Sequence, residues 1–136
     1  MPFNITPVKI TKTFDPATLD FLTSTVTTAG ASDTCSFKIA ASDSDVIVLV
    51  YNPTYVGGSE IEVGFKKGQF WAAKEVTGSG LNAKPGLASA YIIDSAMVKA
   101  FDGTITMTLK PVNAAKSLAE LGVGIAVIEI VRANNN

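Results

Sequence analysis

Histidine is missing from this 136-residue chain, so any chemistry it performs must come from twelve carboxylates, eleven basic side chains and one thiol. That absence removes the commonest general base, the Ser-His-Asp and Cys-His nucleophile arrangements, and the usual zinc sites. Carboxylates or lysine alone would have to carry a hydrolase. Glu60 and Glu62 lie two apart on an alternating run, which puts both on one strand face, roughly 7 Å apart. A glycosidase pair needs a comparable separation, but across a cleft. With Ile61 and Val63 turned inward, the two glutamates read as a solvated sheet face. Asp43 and Asp45, with Asp33 upstream, resemble part of a calcium loop, yet no glycine or glutamate follows at the required offsets. They read as turn residues that accept backbone N–H groups.

The remaining candidates are weaker. Cys35 alternates with Phe37 and Ile39 against Ser36, Lys38 and Ala40, so it reads as a small inward-facing core residue. A reactive thiol would want cationic neighbours, and Lys38 alone is close in sequence. Gly78-Ser79-Gly80-Leu81-Asn82-Ala83 echoes a dinucleotide fingerprint. However, Pro85-Gly86 argues against the helix whose N-terminus would hold the phosphates. Asn4-Ile5-Thr6 matches a glycosylation sequon, and with no secretory signal read before it the match is expected to be chance. Phe70 and Trp71, with Tyr55, suggest either an aromatic sugar platform or packing in the core or at a subunit interface, and the packing reading is preferred. No catalytic residue, metal ligand or cofactor-binding residue is expected.

The elements that would hold these residues are strands. Val46-Ile47-Val48-Leu49-Val50-Tyr51 is a continuous apolar run with four β-branched residues, closed by Asn52-Pro53. Glu60 to Lys66 then alternates without a break, as does Thr104 to Lys110. Further strands are read at 5–14, at Thr34 to Ala40, at Ala88 to Ile93 and at Gly122 to Val131. Short helical turns are read at 15–20, at Asp94 to Val98 with Asp94 as N-cap, and within Ala114 to Leu121. Thr34–Ala40 and the central run read as a hairpin or as neighbours in opposite sheets. The expectation is one all-β domain: an antiparallel sandwich or jelly-roll-like barrel of about eight strands, with one to three helical turns. An N-terminal arm over 1–14 and a polar tail over 132–136 flank it.

Composition limits the partners. Charged residues make up 17% of the chain and hydrophobic ones 47%, and the mean hydropathy is +0.31. The longest apolar region, Val123 to Val131, contains Glu129 and is far short of the roughly 20 residues that cross a membrane. Part of the apolar surface is therefore expected to be buried against other protein chains. A net charge of −1 offers no field for nucleic acid or anionic lipid. No secretory signal is read at the N-terminus.

The order of these runs carries a resemblance. An apolar strand ends in Asn52, a Gly-containing turn leads to Glu60–Lys66, and Lys67-Gly68 follows. Ile92-Ile93 runs into the single turn Asp94-Ser95-Ala96-Met97-Val98, then Asp102-Gly103 leads to Thr104–Leu109 and Val127–Ile130 closes the chain. Over roughly residues 37–131 this resembles the capsid decoration (auxiliary or cementing head) proteins of tailed bacteriophages. The chain departs from the pattern at Gln69–Gly86 and Val112–Leu121. The resemblance implies a non-enzymatic virion protein on the capsid surface, commonly a homotrimer, that clamps neighbouring major capsid subunits. Phe3, Ile5, Val8, Ile10, Tyr55, Phe70 and Trp71 are its candidate interface residues, and the arm is expected to add as a strand to a neighbour. The alternative is a carbohydrate- or surface-binding sandwich module, with Trp71, Tyr55 and Tyr91 as an exposed platform.

Overall fold

The computed structural model describes residues 3–14, 16–39, 45–54 and 59–131. Alternation of small β-branched and polar residues builds nine strands among them: β1 (Phe3–Ile5), β2 (Val8–Ile10), β3 (Leu22–Thr23), β4 (Asp33–Lys38), β5 (Asp45–Asn52), β6 (Ile61–Phe65), β7 (Leu87–Ile93), β8 (Thr104–Pro111) and β9 (Gly124–Ile130). One sheet has the order β1-β4-β8-β6; the second runs β2-β9-β5-β7, with β3 also paired to β9. The expected sandwich is present, as two sheets without barrel closure. It is not purely antiparallel, because β1 joins β4 and β2 joins β9 in parallel.

The core lies between the sheets. Cys35 and Phe37 on β4, Ile105, Met107 and Leu109 on β8, and Val63 and Phe65 on β6 face Val46, Val48 and Val50 on β5 and Ile125 and Val127 on β9. Most of these are 0–1% exposed. Two short helices seal the ends. In α1 (Ser95–Val98) the Asp94 carboxylate accepts from Ala96 N–H at 3.1 Å, the cap read from sequence. In α2 (Leu118–Leu121) Ser117 and Glu120 form a reciprocal capping box and Gly122 ends the turn at φ +71°. Ser117→Ala is expected to cost about 1 kcal/mol, read as a lower denaturation midpoint.

Two expectations change, and one open alternative is decided. The segment read as one strand over 5–14 breaks at Thr6-Pro7, where the chain crosses from the first sheet to the second. The helical turn expected at 15–20 is absent over residues 16–20, and residue 15 lies outside the described residues. There the β-branched run that follows wins: Leu22–Thr23 pairs with β9, Ser24 N–H donates to Val123 O at 3.2 Å, and Val26 O accepts from Ala119 N–H. Finally, β4 and β5 lie in opposite sheets rather than in a hairpin.

The segment after β6 has no repeat of its own and is held by backbone bonds. Phe65 and Val76 exchange a pair of N–H···O bonds at 2.9 and 3.0 Å, and Ile61 and Ala83 do the same at 3.0 and 2.8 Å. Gly68 N–H donates to Met97 O at 3.0 Å. A Cβ at Gly68 would come within 2.5 Å of Lys99 O and 2.6 Å of Lys99 N, both backbone atoms that cannot swing aside. Gly68→Ala should therefore push the segment off α1, costing about 2 kcal/mol and lowering Tm by roughly 8 °C.

Candidate functional site

The residues singled out for chemistry are dispersed. The Cys35 thiol is fully buried, and burial pushes it up from 9.0 to about 12, with the Asp33 carboxylate on the same strand face adding to the shift. Asp33 itself accepts from Ser24 Oγ at 2.6 Å and from Thr34 N–H at 2.8 Å, as a structural carboxylate does. A maleimide is expected to label Cys35 only after unfolding. Between pH 9 and pH 12 the unfolded thiol ionises while the folded one does not, so stability should fall as pH rises through that window.

Glu62 points outward from β6, as expected. Glu60 lies just before it and is held by Asn82 Nδ2 at 3.0 Å and Lys84 Nζ at 3.1 Å. Those two bonds, Asn82 first, pull its carboxyl below the usual range. The two glutamates do not face each other across a cleft. Gly78–Leu81 forms a single 3₁₀ turn with no buried residue, not a helix that could hold phosphates. Among the described residues no group of three or more Cys, Asp or Glu side chains is placed to hold a metal ion.

A depression of about 580 Å³ lies over the outer face of the first sheet and under the 77–82 turn. Its lining is polar: Glu62, Lys110, Thr108, Thr77, Ser79 and Asn82 are among its residues, and none is aromatic. The whole outer face of that sheet has this character. Asn4, Thr34, Ser36 and Lys38 stand beside Thr104, Thr106 and Thr108, with Ser36 Oγ 3.3 Å from Thr106 Oγ1.

The outer face of the second sheet is the opposite. Register places its side chains in rows: Ile92–Ile47–Ile128–Val8, then Ala90–Leu49–Ala126, then Ala88–Tyr51–Gly124. Ile130 and Ile10 extend one corner beside Asp45. Asp45 is the one charge among the strand residues of this face. Phe21 comes in at one end, its ring edge-on to Tyr51 at 6.1 Å. Ile92 is 86% exposed and Tyr51 41%, whereas their inward neighbours Val46, Val48 and Val50 are at 0%. No described helix or strand forms a second layer over these rows. Val8, Ile10, Ile47, Leu49 and Ile128 on this face are half-buried.

Of the residues expected at an interface, Val8 and Ile10 fall on this face. Ile5 is 5% exposed and belongs to the core, and Phe3 packs half-buried against it. Phe70 and Trp71 stand apart on a turn: Trp71 is 100% exposed, and Phe70 meets Phe101 edge-on at 5.2 Å with Lys99 Nζ 5.5 Å from its ring. Tyr55 lies outside the described residues. Tyr91 is half-buried, its hydroxyl donating to Leu81 O at 2.6 Å, and it does not stand with Trp71. Sequence reading missed Ile47, Leu49, Ala90, Ile92 and Ile128 as residues of this outer face; Ala126 lies among them at 1% exposure. Their signal was available: β5 and β9 are apolar at nearly every position, and a strand with both faces apolar expects a layer on each side. No family model, curated protein or solved structure matches the chain.

Proposed function

We propose that this chain is a non-enzymatic structural virion protein that binds the outside of a phage capsid and stabilises contacts between major capsid subunits. It docks by the apolar outer face of its second sheet. The single observation that carries the docking surface is the contrast between the two outer faces. One is a lawn of hydroxyls suited to solvent, while the other is apolar across its rows, with Ile92 86% and Tyr51 41% exposed, the character of an interaction site on a soluble protein. The order of strands and turns that resembles capsid decoration proteins supports the choice of a shell as partner. The excess of apolar over charged residues supports a chain that is finished by an assembly.

The test is co-sedimentation with heads assembled from the major capsid protein of the same genome. Binding that saturates at a fixed ratio to capsid subunits and raises the heat resistance of the heads is expected. Heads that leave the protein in the supernatant would sink the reading.

The fully exposed Trp71 favours a second reading, a carbohydrate- or surface-binding module. On that reading a glycan shifts the tryptophan emission, and Trp71→Ala removes the affinity while leaving head binding unchanged.

A further inference from the structure

Every sheet edge exposes unpaired backbone N–H and C=O groups, and proteins normally guard such edges by shortness, charge, proline or cover. Three sides of this sandwich follow that rule. On the first sheet β1 has three residues, and β6 is bridged twice by the segment that follows it. On the second sheet β2 has three residues with Lys9 in the middle and Pro7 before it, and β3 has two. The fourth side is β7, Leu-Ala-Ser-Ala-Tyr-Ile-Ile, with seven residues, no charge and no proline. It pairs with β5 in unbroken register from Leu87 to Ile93, so no bulge twists it away. Among the described residues none of its backbone groups bonds to anything beyond β5. Leu87 is 56% exposed and Ile92 86%.

We infer that β7 is a pairing edge and that its occupant is β7 of a second copy of this chain, antiparallel about a two-fold axis. The register that pairs all seven residues is centred on Ala90. It sets Ala88 opposite Ile92 of the second copy, Ser89 opposite Tyr91, and Ala90 opposite itself. Small side chains meet large ones at two of the three off-centre pairs, Leu87 stands opposite Ile93 at the third, and no charge has to be buried. The pairing also runs the two apolar outer faces into one surface about twice as wide, which presents a shell with a single larger footprint. Seven residues of strand contact cover roughly 250 Å² per copy, well below the roughly 800 Å² per partner of a stable specific interface. A concentration-dependent pair is therefore expected. A two-fold edge contact differs from the three-fold association that the resemblance implies, and mass separates the two.

Light scattering on the isolated full chain tests this without any shell. The wild type should rise from 14.2 kDa toward twice that mass with concentration. In Ala88→Lys/Ile92→Lys two lysines face each other at both symmetry-related 88–92 contacts, and the chain should stay monomeric. Ala88→Glu/Ile92→Lys sheds similar apolar area but sets opposite charges across each pair. It should associate at least about tenfold more tightly than the double-lysine variant. Far-UV circular dichroism checks that both variants, changed only at exposed positions, are folded. Equal association of the two variants overturns the inference, as does a wild-type trimer or a wild type monomeric up to about 1 mM.

Discussion

Val48→Asp is expected to leave no folded protein. Val48 is at 0% exposure in the middle of β5, facing the first sheet, with Tyr91 and Val127 beside it in register. An aspartate there would lose its water and find no cation among the valines, isoleucines and leucines of the core. The cost of such a buried, unpaired charge is on the order of 5 kcal/mol, comparable with the whole stability of a domain this size. Neutralising the carboxyl would recover only part of it, because the protonated acid still lacks partners. The expected result is insoluble expression, or a chain without a cooperative thermal transition. A variant that melts within a few degrees of the wild type would show that β5 does not face the core as described.

One residue further on, the same strand should give the opposite result. Leu49 points to the other side, between Ala90 and Ala126 in the apolar face of the second sheet. In Leu49→Lys the aliphatic stem can lie along that face with the ammonium in water, so the fold should survive with a loss of about 1 kcal/mol or less. Docking should not survive. A lysine at the centre of an apolar contact must be desolvated without a partner, which weakens binding to capsid heads by about 30-fold or more. Paired melting and co-sedimentation of Leu49→Lys read the two effects separately. Unchanged binding with an unchanged melt would remove the second sheet from the docking surface.

These two neighbours show where sequence reading succeeds. Thr104 to Leu109 alternates in sequence, and its burial alternates in step, with Ile105, Met107 and Leu109 inside and the threonines outside. A period of two determines which side chains face inward once a strand is granted. The same logic placed Cys35 in the core, and capping chemistry placed Asp94 at the start of α1. In Val46 to Tyr51 the alternation is hidden, because both faces are apolar, and no periodicity could separate Val48 from Leu49.

The N-terminal stretch was hard to read for a related reason. Three-residue strands carry too little pattern to reveal which sheet they join, so the crossover at Thr6-Pro7 and the parallel pairings were invisible. Ile5, read as an interface residue, sits in the core because β4 accepts β1 in parallel register.

The sequence by itself determined an all-β domain, the inward set of its alternating strands, and a surplus of apolar residues over charge. Those follow from local rules, since side-chain period and composition are properties of the chain. Only the tertiary structure decided where the surplus went. Whether an apolar face is covered, or a strand edge is left open, depends on which strands end up side by side. That is fixed by contacts between residues far apart in sequence, such as Ile47 with Ile92 and Ile128. The apolar second sheet, which no described helix or strand covers, and the β7 edge, unguarded among the described residues, are consequences of that arrangement, and no window of sequence contains them.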